Sequence, residues 1–202
     1  GHGKLSAVIW TTTPWTLPSN VALCVGPKIE YVIVETYNPY DAEKLTLVMA
    51  ASRVAAYLKS EGEITDGGEL PEYERGDKYV PYRIVGRVMG TELEGLHYQQ
   101  LMPWVKPVEQ TGDFAPKFVN DYAAAHPEKV FASEDGRDKF VEMESEAFRI
   151  ILGGYVTTED GTGIVHIAPT FGADDAKVAK DANIPALYLI SKKGQTLSLI
   201  HI

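Results

Sequence analysis

The chain has 202 residues, 45% hydrophobic and 23% charged, with a formal net charge of −9. That composition is ordinary for a globular domain, and no apolar run approaches the roughly 20 residues that span a bilayer. The acidic balance argues against a general nucleic-acid binder, whose footprint is basic.

The start, Gly1-His-Gly-Lys4, has none of the marks of a signal peptide. Leu5–Trp10 reads as a short buried strand. It runs into Trp10-Thr-Thr-Thr-Pro-Trp-Thr-Leu-Pro-Ser-Asn20, four threonines interrupted by Pro14 and Pro18. Proline lacks an amide donor and pushes its predecessor towards extended geometry, so a stiff, extended loop is expected. The hydroxyls of Thr11, Thr12, Thr13 and Thr16 would let such a loop grip an oxygen-rich ligand without carrying charge. The plainer reading of the same residues is a strand edge followed by a proline-rich turn.

Val21–Val25, Tyr31–Glu35 and Leu45–Met49 read as strands, and Ala50–Lys59 as a short amphipathic helix with Val54, Tyr57 and Leu58 on one face. Cys24 is the single cysteine. It cannot form an internal disulfide and fits a buried thiol in a reducing, cytoplasmic setting. Residues 61 to 78 read as loop. Tyr79 to Tyr98 alternates apolar and polar residues around Gly86, Gly90 and Gly95, the pattern of a bent strand with bulges. Residues 75 to 87 hold Arg75, Lys78, Arg83 and Arg87 against Asp77 alone. This locally basic stretch is either a solvated strand face or an edge that meets phosphates. A polar insertion is expected at about 107–137, and 134 to 146, with six acidic and two basic residues, reads as solvated surface. Phe148–Leu152 and Tyr155–Thr158 read as strands.

Asp160-Gly-Thr-Gly-Ile-Val-His-Ile-Ala-Pro169 predicts a turn, a short buried strand and a stop, and Gly172–Asn183 a helix with Asp174 and Asp175 in its first turns. Carboxylates there favour the positive end of the helix dipole, and that role suffices for Asp174. Three chemistries compete at this junction. His166 and Asp175 could join a threonine or Cys24 in a nucleophilic triad, although no nucleophile-elbow motif is present. His166, Asp174 and Asp175 could hold a divalent metal, although there is no HExxH and no second histidine nearby. Or Asp175 could anchor an ammonium group while His166 shapes a small pocket.

Thr11-Thr-Thr-Pro-Trp-Thr-Leu-Pro-Ser-Asn20 resembles the threonine-rich region of the editing (CP1) domain inserted in isoleucyl-tRNA synthetases. Gly161-Thr-Gly-Ile-Val-His-Ile-Ala-Pro-Thr-Phe-Gly-Ala-Asp-Asp175 is similar to its second motif, about 150 residues later. Gly90-Thr-Glu-Leu-Glu-Gly-Leu-His-Tyr98 and Leu101-Met-Pro-Trp104 resemble the segment that leads into an insertion. Valyl and leucyl relatives resemble the chain less, since they usually carry an acidic residue where Trp15 stands, and valyl enzymes a lysine where His166 stands.

The resemblance spans roughly residues 5 to 190. It implies a single α+β editing domain over 1–190, predominantly a twisted, barrel-like sheet with peripheral helices, and leaves 191–202 without a role. It implies hydrolysis of the ester of valine misattached to tRNA(Ile), with valyl-adenylate as a further substrate. Asp175 would bind the α-amino group, and Thr11, Thr12 and Thr13 would line the pocket around ester and terminal adenosine. Trp10, Asn20, His166 and Ala168 would complete the substrate site, with His166 helping to exclude isoleucine. Arg75, Lys78, Arg83 and Arg87 become candidates for tRNA contact.

The partners implied are the 3′ end of tRNA(Ile) carrying valine and the remainder of the parent synthetase, with the domain itself a monomer and no membrane involved. No cofactor or metal is expected in this stretch. Neither HIGH nor KMSKS occurs, so ATP and magnesium, with zinc as an option, belong to the rest of the parent. The alternatives are a valyl or leucyl editing domain, or a non-catalytic RNA-docking module.

Overall fold

The computed structural model describes residues 4–65 and 67–188. Within them run strands β1 (Leu5–Ala7), β2 (Ala22–Val25), β3 (Glu30–Tyr37), β4 (Lys44–Ala50), β5 (Arg83–Met89) and β6 (Val108–Gln110). Strands β7 (Val130–Ala132), β8 (Lys139–Glu142), β9 (Arg149–Leu152) and β10 (Ile164–Ile167) follow. The helices are α1 (Val54–Tyr57), α2 (Gly90–Leu93), α3 (Lys117–Ala125) and α4 (Ala173–Asp181). This is a mixed α+β fold with few helices. Its sheets have the open orders β1-β4-β3-β5, β10-β2-β9 and β6-β8-β7, and no sheet among the described residues closes into a barrel.

The chain divides into two compact units. The first takes the described residues of Gly1–Thr11, Cys24–Glu94 and Leu152–Val165; the second takes those of Thr12–Leu23, Gly95–Ile151 and His166–Ile202.

The first unit is organised by the four-stranded sheet. β3 pairs antiparallel with β4 and β5, and β1 adds in parallel along β4. The alternation of β3 buries Val32, Val34 and Thr36, and the two valines pack with Met49, Val54 and Tyr82. Each such apolar side chain contributes about 1.5–3 kcal/mol on leaving water. The register shifts between Ile33, opposite Gly86, and Val34, opposite Ile84, so Val85 is the extra residue of a bulge. This is the bend that Gly86 led one to expect.

Tyr31 is fully buried; its hydroxyl accepts from the Gly26 amide at 2.9 Å and donates to the Gly163 carbonyl at 2.6 Å. Burial pushes this phenol up to about 12. Gly90 fits because a β-carbon there would stand 2.0 Å from the Gly26 carbonyl oxygen.

In the second unit, residues 107–137 are less irregular than their polar composition suggests. β6, β7 and β8 form an antiparallel sheet, and Val119 of α3 is buried with Val141 and Met143. The acidic stretch 134–146 is therefore only partly solvated surface. Glu134, Asp135 and Asp138 are exposed, but Val141 and Met143 reach zero exposure. On β6, Glu109 turns inward, and its Oε1 accepts the Ala186 amide at 2.6 Å.

Several local expectations are corrected. Residues 14–19 coil into a 3-10 helix instead of leaving as an extended loop. Pro14 occupies its first turn, where a missing amide costs nothing, and the bonds that remain run from Thr16 N to Thr13 O and from Asn20 N to Leu17 O. The first strand ends at Ala7, with Leu5 half exposed at the sheet edge. The helix expected over 50–59 is a 3-10 turn at Ala51–Arg53 followed by the single turn α1, which leaves Tyr57 exposed. Tyr155–Thr158 forms no strand, and Val156 N instead closes a turn on Gly153 O. The tail 191–202 lies outside the described residues.

Candidate active site

β10 is the apolar run Ile164–Ile167 with one polar interruption, His166, which is half-buried. The Val21 amide donates to Ile167 O at 3.0 Å, and this places Asn20 and the end of the threonine-rich turn beside the end of β10. Residues 12–20 of the first motif and 166–175 of the second thus meet within the second unit.

Their junction is a connected set of hydrogen bonds. Thr16 Oγ1 lies 2.8 Å from Thr13 O and 2.9 Å from His166 Nε2. Asn20 Nδ2 lies 3.0 Å from Ala22 O and 3.4 Å from His166 Nδ1. The Tyr98 hydroxyl donates to Asn20 Oδ1 at 2.6 Å. Thr16 and Asn20 are buried, so each of these polar groups depends on its partner. Burial lowers the His166 pKa below the ordinary histidine value, against the opposing charge of Asp175. The imidazole is therefore neutral at pH 7.

Downstream, α4 begins after Gly172, with Asp174 exposed and Asp175 half-buried in its first turn. Asp175 Oδ2 accepts the Ala168 amide at 2.8 Å. The carboxylate thus closes the end of β10 across the Pro169-Thr-Phe-Gly172 link. Ala168 contributes through its backbone and is 1% exposed. Thr12 and Thr13 are exposed. Trp10 and Thr11 belong to the first unit, where a β-carbon on Gly161 would lie 3.7 Å from the Trp10 ring.

The basic stretch splits in two. Arg83 donates to Glu35 at 2.7 Å and to Gly68 O at 2.9 Å, and Arg87 pairs with Glu30 at 2.7 Å. Both arginines line an open groove of about 500 Å³ that also includes Glu63 and Thr65. Arg75 is exposed, and Lys78 lies 4.9 Å over the Tyr79 ring. Among the described residues, no group of three or more His, Cys, Asp and Glu side chains is arranged to hold a metal. No helix among them is long and apolar enough to cross a membrane.

Two members of the hydrogen-bonded set are absent from the site expected from sequence. Thr16 was visible as the fourth hydroxyl of its motif. Tyr98 had no local signal, because its link to Asn20 runs through other strands: Tyr98 N donates to Phe148 O, and Phe148 N to Val21 O.

No family model matches the chain. The isoleucine–tRNA ligase of Bacteroides thetaiotaomicron is 49% identical over 191 residues, covering 95% of this chain and 14% of that protein. The isoleucine–tRNA ligase of Porphyromonas gingivalis is 42% identical over 200 residues, covering 98% and 14%. That of Clostridium tetani is 30% identical over 200 residues, covering 99% and 13%. A solved structure described as the crystal structure of GlLeuRS-CP1 matches with a TM-score of 0.49 and 13% identity, over 90% of this chain and 44% of that one. That likeness is too distant to inform fold or function. The chain spans about 14% of the length of the curated relatives. Across nearly all of its own length it aligns with them, and it belongs to the isoleucine–tRNA ligase family.

Proposed function

We propose that this segment is the editing domain of an isoleucine–tRNA ligase and hydrolyses valine misattached to tRNA(Ile), with valyl-adenylate as a second substrate. The observation that carries the reading is the joining of Thr13, Thr16 and Asn20 to His166 by hydrogen bonds, one peptide away from the Asp175-capped strand end. Residues 12–20 and 166–175 of the two motifs that resemble the editing signature are remote in sequence and adjacent in the second unit.

Such a site answers a physical need. One methylene in a hydrophobic pocket is worth only ~1–3 kcal/mol, too little for a synthetic site to reject valine, and the standard illustration of that limit is this same ligase. A second pocket that admits valine and refuses isoleucine supplies the remainder. Asp175, half-buried at the start of α4, pairs with the α-ammonium. Hydroxyls of the threonine-rich turn steady the ester, and water adds to its carbonyl, releasing valine and the 3′ hydroxyl of the tRNA. His166 forms the pocket wall; Trp10 and Thr11 are assigned to substrate on resemblance alone.

In this reading residues 1–190 act as one domain of the parent enzyme, monomeric and cytoplasmic, with the barrel-like sheet of that domain family. The tRNA meets the exposed Arg75 and Lys78 ahead of the ion-paired Arg83 and Arg87. The test is hydrolysis of valyl-tRNA(Ile) and isoleucyl-tRNA(Ile) by this chain at low salt. Release of valine alone is expected; release of both, or of isoleucine preferentially, contradicts the reading.

A further inference from the structure

The donors and acceptors around His166 can be assigned from two backbone carbonyls, which can only accept. Thr16 has one hydroxyl proton, and with Thr13 O at 2.8 Å that proton is committed to the carbonyl. Thr16 Oγ1 therefore faces His166 Nε2, 2.9 Å away, as an acceptor, and Nε2 must carry a hydrogen. On the other side, Ala22 O at 3.0 Å fixes the Asn20 amide with its nitrogen inward, since an oxygen there would oppose an oxygen. The second N–H of that amide points at His166 Nδ1, which must accept. The Asn20 oxygen is left to Tyr98, whose hydroxyl donates at 2.6 Å. No assignment in the chain Tyr98–Asn20–His166–Thr16–Thr13 can be reversed without setting two donors or two acceptors against each other.

We propose that Tyr98, acting through Asn20, and Thr16 are positioning residues that lock His166 as the neutral Nε2–H tautomer in one ring orientation. With Nε2–H spent on Thr16 and the Nδ1 lone pair on Asn20, the ring has no nitrogen left to take a proton from water or substrate. What it offers a ligand is its carbon face, a rigid apolar surface suited to bounding a small aliphatic side chain. The scaffold supports this arrangement. Tyr98 is held by Phe148 O and meets the Phe148 ring edge-on at 6.1 Å. Phe148 itself is buried with a φ of +55°, a left-handed backbone that a bulky residue adopts only under constraint. The specificity consequence rests on the editing reading; the tautomer does not.

Long-range proton–nitrogen correlation spectra of the ¹⁵N-labelled chain at neutral pH test the lock, with His166→Gln identifying the ring signals. The wild type is expected to show one protonated and one unprotonated ring nitrogen, assigned as Nε2–H. In Tyr98→Phe and in Thr16→Val the two nitrogen shifts move towards each other as the tautomers mix, and Thr16→Ser restores the wild-type pair. An Nδ1–H tautomer, an imidazolium, or a pattern unchanged in both variants overturns the proposal. Should Thr16→Val fail to fold, Tyr98→Phe and Thr16→Ser decide.

In hydrolysis, the preference for valyl over isoleucyl ester is expected to fall by about tenfold in Tyr98→Phe, the effect of one lost buried hydrogen bond. An unchanged preference beside mixed tautomers overturns the specificity role. The locked tautomer in a chain that cleaves neither ester leaves the positioning standing and removes the editing reading. Valine release with the wrong tautomer does the opposite.

Discussion

Asp175 accepts the Ala168 amide and is proposed to anchor the substrate ammonium, two tasks that substitution can separate. Asp175→Ala removes both the acceptor for Ala168 N–H and the charge; Asp175→Asn keeps an acceptor oxygen and removes only the charge. A hydrogen bond to a charged group is worth ~1.5–3 kcal/mol, and for a chain of this length each kcal/mol moves Tm by roughly 2–4 °C. Asp175→Ala should therefore melt roughly 3–12 °C lower. Asp175→Asn should lose mainly the favourable helix-terminus charge, ~0.3–1 kcal/mol, and so should Asp174→Ala. Hydrolysis divides the three differently. Stripping the partner from a buried ion pair costs ~3–5 kcal/mol, and because Asp175 is half-buried the lower end applies. At 1.36 kcal/mol per decade, valyl-tRNA(Ile) hydrolysis falls on the order of 10²-fold in both Asp175 variants, while Asp174→Ala stays within about threefold. Thermal melts by circular dichroism and single-turnover deacylation provide the two axes. Near-normal hydrolysis by Asp175→Asn would refute the ammonium anchor, and equal loss in Asp174→Ala would indicate a helix effect instead.

Three further predictions concern the scaffold. Tyr31→Phe orphans the buried Gly26 amide and Gly163 carbonyl together, and urea unfolding should show a loss of about 2–4 kcal/mol; a change under about 0.5 kcal/mol would contradict the bonding. The Tyr31 phenol is raised from 10.0 to about 12 in the fold, so its stabilisation is complete below pH 10 and is lost as pH rises towards 12. The alkaline fall in stability should thus be shallower in Tyr31→Phe. Glu109 is raised by burial, only partly offset by the Ala186 amide. Its favourable contribution is present at acid pH and is lost as pH rises through its folded value. Glu109→Gln, which keeps an oxygen for Ala186, should stabilise at pH 7 by on the order of 1 kcal/mol and do nothing near pH 4; destabilisation at pH 7 would show that the charge itself is needed. Gly90→Ala should unfold at lower urea, because its β-carbon would meet the rigid Gly26 carbonyl; an unchanged midpoint would count against that close approach.

The parts of this molecule written in local periodicity were legible from sequence. The alternation of β3, the bulge before Gly86 and the β10-to-α4 junction with Asp175 near its start all follow from residue spacing. Pro14 misled because proline breaks an α-helix interior yet is at home in the first turn of a 3-10 helix. Tyr155-Val-Thr-Thr158 has strand propensity, but Gly153 and Gly154 precede it and the backbone closes a turn on Gly153. In the candidate site, His166 and Asp175 could be found from their motif. Tyr98 could not, because its position depends on which strands pair with which, and that information is spread over Val21, Phe148 and their neighbours.

The 150 residues between Thr16 and His166 also set a clock. A chain made from its N-terminus at ~5–20 residues per second exposes the threonine-rich turn roughly 8–30 s before its histidine exists. Asn20 meets Tyr98 earlier, once Phe148, which ties Tyr98 to Val21, has been made. During synthesis the turn is therefore first held from the Tyr98 side, with the Thr16 hydroxyl still hydrated, and the imidazole closes onto a half-built frame. A chain truncated between residues 152 and 165 should present that frame, with Tyr98 protected and the imidazole missing.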